Sequence, residues 1–166
     1  MKQFALRLIR GSAITAGLVA GLALSAPASF AQSAPFAGFA GNWSGKSTVT
    51  LSDGSKENIR CKASYRVDRR GAAMNQNLHC ASASYRFDLA SDIVSQGSVI
   101  NGQWSEASRN LFGSLHGRAK GGAVEVSVHA AGFAANLTIR AQDTRQSVLM
   151  TSEGEIRNVS ITMARR

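Results

Sequence analysis

The chain is 166 residues long and 44% hydrophobic, with 19 basic and 10 acidic side chains and a formal net charge of +9. This length is enough for one domain around one hydrophobic core. The apolar run at residues 13–24 is too short to span a bilayer as a helix, so we do not expect an integral membrane protein.

The N-terminus has the pattern of a secretory signal peptide. Lys2, Arg7 and Arg10 precede the apolar run, and Ser29-Phe30-Ala31 places small residues at the two positions that a signal peptidase reads. We expect residues 1–31 to be removed, which leaves 16 basic and 10 acidic side chains and a net charge of +6. The predicted location is the periplasm or the external medium of a bacterium, and an uncleaved N-terminal anchor is the alternative.

Residues 32–40 are predicted to be a short flexible leader, and residues 41–166 a single β-domain. Where they meet, Ala40 to Ser47 fits a loose form of the phosphate-binding loop. That loop needs a strand before it and a helix after it, whereas here a leader precedes it and the β-forming run at residues 47–51 follows. We therefore interpret Gly41-Asn42-Trp43 as the opening of a first strand.

Hydrophobic and polar residues alternate along most of the remaining chain, which predicts strands with one buried and one solvent-facing side. The clearest runs are at residues 124–128, 133–139, 148–150 and 159–163. Turn signals at residues 52–55, 70–71, 121–122, 143–144 and 153–154 separate such runs. We predict an all-β fold, an antiparallel up-and-down meander barrel of about eight to ten strands. A two-sheet β-sandwich is the alternative.

Cys61 and Cys80 are the two cysteines, and in an oxidising compartment we expect them to form a disulfide. A turn at Arg70-Gly71 sets Cys61 opposite Cys80. The same register sets Val67 opposite Met74, Tyr65 opposite Gln76 and Ala63 opposite Leu78. Directly opposed residues have Cα atoms about 4.5–5.5 Å apart, which is within the disulfide range. The disulfide is therefore predicted to be a rung across this hairpin.

Two family resemblances support the barrel. Gly41-Asn42-Trp43 resembles the N-terminal G-x-W signature of lipocalins and other calycins, which implies a barrel with a ligand cavity whose floor the tryptophan closes. A second resemblance, to an uncharacterised group of small secreted proteins of alphaproteobacteria, implies a secreted barrel and no activity. It rests on Ile59-Arg60-Cys61-x-Ala63-Ser64-Tyr65, Leu78-His79-Cys80-Ala81-Ser82, Gly102-x-Trp104-Ser105-Glu106 with Arg109-Asn110 and Gly113, and Val159-Ser160-Ile161-Thr162-Met163.

Few side chains are spaced for catalysis or metal binding. The histidines, His79, His116 and His129, lack ligand spacing, and no G-x-S-x-G nucleophile motif occurs. We therefore expect no metal, no cofactor and no enzymatic activity, with an enzyme of unknown type as the remaining alternative. Glu106 shares the face of Trp104; if that face is interior, Glu106 is a buried carboxylate that needs a partner such as Arg109 or a ligand. An outward or rim-facing Glu106 is the alternative.

The predicted function is binding. A small apolar or amphipathic ligand suits a cavity with aromatic walls, and the candidate ligand-binding residues are Trp43, Tyr65, Tyr85, Phe87, Trp104, Phe133 and Glu106. The alternative is an envelope or protein-interaction module. It would dock an anionic envelope surface on a basic patch formed by Arg60, Lys62, Arg66, Arg69 and Arg70. Nucleic acid is not expected as a partner, because no aromatic residues interleave with these cations on one face.

Overall fold

The computed structural model describes residues 34–120 and 122–166. Within them, a short 3-10 helix (Ala37–Phe39) precedes ten strands: β1 (Gly41–Leu51), β2 (Lys56–Val67), β3 (Ala73–Ala81), β4 (Arg86–Gln96), β5 (Val99–Glu106), β6 (Leu111–Lys120), β7 (Ala123–Ala130), β8 (Phe133–Gln142), β9 (Arg145–Ser152) and β10 (Ile156–Arg165). Each strand pairs antiparallel with its sequence neighbours, and β1 also pairs with β10. The predicted meander barrel is confirmed, and the sandwich alternative is wrong because the β1–β10 pairing closes the sheet.

The predicted signal peptide, residues 1–31, lies outside the described residues, as do residues 32 and 33 of the predicted leader. Among the residues that are described, no helix is long and apolar enough to cross a membrane. In the same part of the chain, no group of three or more His, Cys, Asp or Glu side chains is arranged to hold a metal ion.

The alternating runs form strands because each sets one face toward the barrel interior. In β7, Val124, Val126 and Val128 are buried while Glu125 is exposed, and in β10 Ile161 and Met163 are buried. The turn signals at residues 52–55, 70–71, 143–144 and 153–154 all fall between strands. In these strands the alternation of hydrophobic and polar residues is thus sufficient to assign which side chains face inward.

The β2–β3 hairpin has the predicted register. Val67 pairs with Met74, Tyr65 with Gln76, Ala63 with Leu78 and Cys61 with Cys80. The two cysteines form the disulfide, with Cα atoms 4.1 Å apart, and both are buried in the wall. Asp68 stabilises the turn by accepting hydrogen bonds from the backbone N–H groups of Ala72 (2.7 Å) and Ala73 (2.8 Å).

Residues 34–40 of the predicted leader lie at one end of the barrel, where Phe36 and Phe39 are buried and most of the other residues of the segment are exposed. Phe36 is 0% exposed and Phe39 is 3% exposed, and their rings meet edge to face. The backbone N–H of Phe36 donates to the carbonyl of Gly71 (3.1 Å). Gly71 has φ +67° and lies so close to Ala34 that a Cβ there would come within 2.8 Å of it. Burial of the two aromatic side chains offsets part of the conformational entropy that fixing this segment costs.

Candidate ligand-binding cavity

A cavity of about 440 Å³ occupies the barrel interior. Phe39 bounds it at the end that the N-terminal segment closes. At the other end it is bounded by residues of four turns, Tyr85, Arg109, Gly132 and Glu155. Because the strands form an antiparallel meander, these turns lie at the same end and form a mouth. The volume is within the range of about 300–1,000 Å³ that is typical of small-molecule sites.

The cavity wall is mainly aliphatic and aromatic. Several inward-facing side chains of this wall are half-buried, because their free surface faces the cavity: Leu78, Leu89, Leu137, Val148, Met150 and Val159. The interior is therefore not filled by side chains, in contrast to many small barrels. An apolar wall of this kind favours an apolar ligand, since water there finds few hydrogen-bond partners.

Trp104 lies against the wall where β5 pairs with β6. Its indole N–H donates to the carbonyl of Ser114 (3.1 Å), and its ring meets Phe133 edge to face at 5.9 Å. Gly113 is its partner in the register. A Cβ on Gly113 would come within 2.7 Å of the indole and 2.0 Å of the carbonyl oxygen of His129, so glycine is required here. The missing side chain leaves room for the indole of Trp104 against β6.

Two polar pairs lie in or behind the apolar wall. On the wall, the hydroxyl of Ser91 donates to the amide oxygen of Gln76 (3.1 Å), and both residues line the cavity. Near the closed end, the Tyr65 hydroxyl donates to Oε1 of Gln146 (3.2 Å) and accepts from its Nε2 (2.9 Å). Burial raises the pKa of Tyr65 to about 12, and the hydrogen bond from Gln146 opposes this only in part. Tyr65 is therefore a neutral phenol at the cavity floor.

Glu106 faces the barrel interior, on the same face as Trp104. The alternative of an outward or rim-facing Glu106 is therefore wrong. Glu106 is 5% exposed, and its carboxylate accepts hydrogen bonds from the backbone N–H groups of Asp88 (2.9 Å), Ser108 (3.1 Å) and Arg109 (2.8 Å). Burial acts to raise the pKa of Glu106, but these backbone donors outweigh it and hold the pKa below the ordinary value. The carboxylate is thus ionised and already occupied by the chain, and it organises the β5–β6 turn.

One side of the mouth is a stack of three planar groups. The rings of Tyr85 and Phe87 are nearly parallel, with centroids 6.4 Å apart. The guanidinium of Arg109 lies 4.5 Å from the centroid of Phe87. Arg109 Nη1 donates to the carbonyl of Arg86 (3.3 Å) and is 3.7 Å from Oε2 of Glu106. The stack therefore holds one cation at the boundary between the apolar cavity and solvent.

Six of the seven predicted ligand-binding residues line the cavity: Tyr65, Tyr85, Phe87, Trp104, Phe133 and Glu106. Trp43 does not, and this is a correction. It is 1% exposed, and its indole N–H donates to the carbonyl of Phe39 (2.7 Å), so it lies beneath the floor that Phe39 forms. Sequence reasoning missed Phe39, Gln76 and Ser91 as lining residues. Gln76 could have been found, since its predicted pairing with Tyr65 already places both on one face.

The basic patch lies outside the barrel. Arg60, Lys62 and Arg66 are exposed on β2, and Arg69 and Arg70 are exposed in the β2–β3 turn. Of these five, Arg70 alone forms an ion pair with a described residue, Asp68 at 3.7 Å. Exposed Lys46 of β1 is the register partner of Arg60 and extends the patch. None of these residues lines the cavity.

The sequence matches no protein-family model and no curated protein. Its fold matches that of Rv2717c from M. tuberculosis with a TM-score of 0.63 and 8% identity, covering 78% of this chain and 94% of that chain. The S-type phycobiliprotein lyase CPES from Guillardia theta matches with a TM-score of 0.58 and 8% identity, covering 79% of this chain and 90% of that one. Both are calycin-like barrels, so the chain has a calycin-like fold. The resemblance to secreted alphaproteobacterial proteins stays a prediction.

Proposed function

We propose that the protein is a secreted, non-catalytic barrel that binds a small apolar or amphipathic ligand in its interior. The observation that carries this proposal is the apolar cavity of about 440 Å³, closed at one end by Phe39 and bounded by turns at the other. Small-molecule sites are concave and mostly apolar with a few placed polar groups, and Gln76 and Ser91 are such groups here. The lyase named above supports the proposal by its fold alone.

A binding role is also favoured over catalysis by the state of Glu106. General acid–base chemistry needs a carboxyl group that is free to exchange a proton with a substrate. Glu106 instead accepts from three backbone N–H groups, and these hold its pKa below the ordinary value. We assign it a structural role at the mouth. The disulfide Cys61–Cys80 supports an oxidising location, for which we propose the periplasm or the medium.

The experiment is a titration of the oxidised protein with N-phenylnaphthylamine, a neutral apolar dye whose fluorescence rises in apolar surroundings. We compare the wild type with Leu137→Trp, which adds a ring at a half-buried, cavity-lining position of β8. The matched control is Asn136→Trp, the next residue, which is exposed on the outer face. We expect saturable binding in the wild type and Asn136→Trp, and at least tenfold weaker binding in Leu137→Trp.

Thermal unfolding of the three proteins is measured as a control, to check that each variant is folded under the conditions of the titration. Equal dye affinity in wild type and Leu137→Trp would place the dye outside the cavity and contradict the proposal. Absence of saturable binding in the wild type, together with an empty native mass spectrum of the protein as purified, would contradict it as well.

The second candidate function is docking of the basic patch on an anionic envelope surface. It is favoured by Arg60, Lys62 and Arg66 of β2, which form no ion pair with any described residue, and by Lys46 beside Arg60. We would sediment the protein with phosphatidylglycerol vesicles, and compare Arg60→Gln/Lys62→Gln/Arg66→Gln with Arg118→Gln/Lys120→Gln/Arg140→Gln. The control cations are exposed on β6 and β8, across the barrel from β2. Binding that falls with salt and only in the first variant supports this function, and equal binding of both variants refutes it.

A further inference from the structure

We propose that the ligand carries an anionic group and that Arg109 binds this group at the mouth while the apolar part lies in the cavity. This inference rests on the proposed binding function and names the ligand class, an amphipathic anion. Arg109 is a lining residue of the cavity, and its side chain is 38% exposed. It therefore faces both the apolar interior and solvent.

The guanidinium has donors to spare. A guanidinium carries five N–H groups. Among the described residues, the one hydrogen-bond acceptor within reach of Arg109 is the carbonyl of Arg86, at 3.3 Å from Nη1. The carboxylate of Glu106 lies at 3.7 Å, beyond hydrogen-bond distance, and its oxygens are taken by three backbone N–H groups. Most of the guanidinium N–H donors of Arg109 are thus available to an incoming carboxylate, sulfonate or phosphate oxygen.

The guanidinium is also held in place before any ligand arrives. The main-chain N–H of Arg109 donates to Glu106 (2.8 Å), and the guanidinium carbon lies over the ring of Phe87, 4.5 Å from its centroid. An arginine that is fixed in this way loses little side-chain entropy on binding, and its fork matches planar and tetrahedral anions. The location next to apolar walls strengthens the attraction, because the local dielectric constant is lower than in water.

Among the charged side chains at the mouth, Arg109 is the cation best placed to bind an anionic group of the ligand. Arg86 is 2.6 Å from Asp88, whose pKa is lowered by hydrogen bonds from His79 and Arg86, and its side chain is 74% exposed. Arg86 does not line the cavity. Glu155 lines the mouth in the β9–β10 turn, separated from Arg109 by the β7–β8 turn. On the Arg109 side the guanidinium lies 3.7 Å from the ionised Glu106, whose oxygens are already bonded to backbone N–H groups, whereas Glu155 adds a negative charge across the mouth, which disfavours an anionic group there.

The test uses two dyes of the same aromatic skeleton. Anilinonaphthalene sulfonate carries an anionic group, and N-phenylnaphthylamine lacks it. We measure the affinity ratio of the two dyes in the wild type and in Arg109→Gln. The control is Arg86→Gln, which removes the same charge from the outer side of the same barrel end. We expect the preference for the sulfonate to fall about tenfold in Arg109→Gln, since hydrogen bonds to charged groups are of that strength, and to stay unchanged in Arg86→Gln.

An unchanged ratio in Arg109→Gln, with the neutral dye still bound in the cavity, overturns this inference and leaves the proposed function standing. Failure of both dyes to bind the wild type overturns the proposed function, and this inference with it. If Arg109→Gln does not fold, Arg109→Met replaces it, because methionine keeps an apolar stem over Phe87 without the charge. An equal fall of the ratio in Arg86→Gln would trace the preference to general charge and also overturn the inference.

Discussion

The guanidinium of Arg165 lies 4.7 Å from the centroid of the Trp43 ring, so the last strand covers the indole of the first. Arg165 also donates to the carbonyl of Gly38 (2.6 Å), and Trp43 donates to that of Phe39 (2.7 Å). The N-terminal segment is therefore bound by both strands of the β1–β10 closure. It belongs to the floor of the cavity.

Replacing Phe39 with alanine tests this floor. We expect Phe39→Ala to lower the free energy of unfolding by about 3–5 kcal/mol, as for other buried phenylalanines. Urea denaturation measures the loss, and Ala37→Ser, at an exposed position of the same segment, is the control. A loss below about 1 kcal/mol would mean that the segment is a dispensable leader after all.

Glu106→Gln is expected to destabilise the protein by about 2 kcal/mol at neutral pH, because charge-assisted hydrogen bonds to three backbone N–H groups are weakened. In the folded protein the pKa of Glu106 is below its ordinary value of 4.5, so the contribution of the carboxylate to the free energy of unfolding is complete above pH 4.5. It disappears as the pH falls through the folded pKa.

Unfolding of Glu106→Gln and wild type is therefore to be compared from pH 7 down to acid, and the gap between them should shrink below about pH 4.5. Glu155→Gln, at an exposed position of the mouth, serves as the matched control and should leave stability within about 0.5 kcal/mol of the wild type. A gap that stays constant with pH would refute the role given to the ionised carboxylate.

Tyr65→Phe should cost about 1–3 kcal/mol at pH 7, because it leaves the buried amide of Gln146 without its partner. In the wild type, burial raises the pKa of Tyr65 from its ordinary value of 10.0 to about 12. The contribution of the neutral phenol to the free energy of unfolding is therefore complete below pH 10 and is lost as the pH approaches 12. The wild type should lose about 2–3 kcal/mol over that interval, and Tyr65→Phe should not. Denaturation series at alkaline pH would contradict this if both proteins lost stability in parallel.

The disulfide is expected to stabilise the barrel by about 3 kcal/mol, because it closes a loop in the unfolded chain between cysteines 19 residues apart. Cys61→Ala/Cys80→Ala should therefore unfold at a lower urea concentration than the oxidised wild type. Reduced wild type is the control and should resemble the double variant. Equal midpoints for oxidised and reduced wild type would show that the rung adds no stability.

Local patterns in the sequence were sufficient to predict the strands and the register of one hairpin. The period of two in residues 124–128 and 159–163 predicts which side chains face inward, because a strand has no other way to bury every second residue. The turn at Arg70-Gly71 and the two cysteines specify a single register of β2 and β3, since a slip of one residue would move every side chain to the wrong face.

Closure, the cavity and the surroundings of Glu106 were decided only by the tertiary structure. Alternation is the same in a sandwich and in a barrel, and the β1–β10 pairing joins residues more than 100 positions apart. An inward-facing pattern does not say how much space remains inside, since that depends on how ten strands curve around it and on Gly113 leaving room for Trp104. Phe36 and Phe39 were overlooked because two isolated aromatics have no periodicity; they become a floor only once the barrel end exists to receive them.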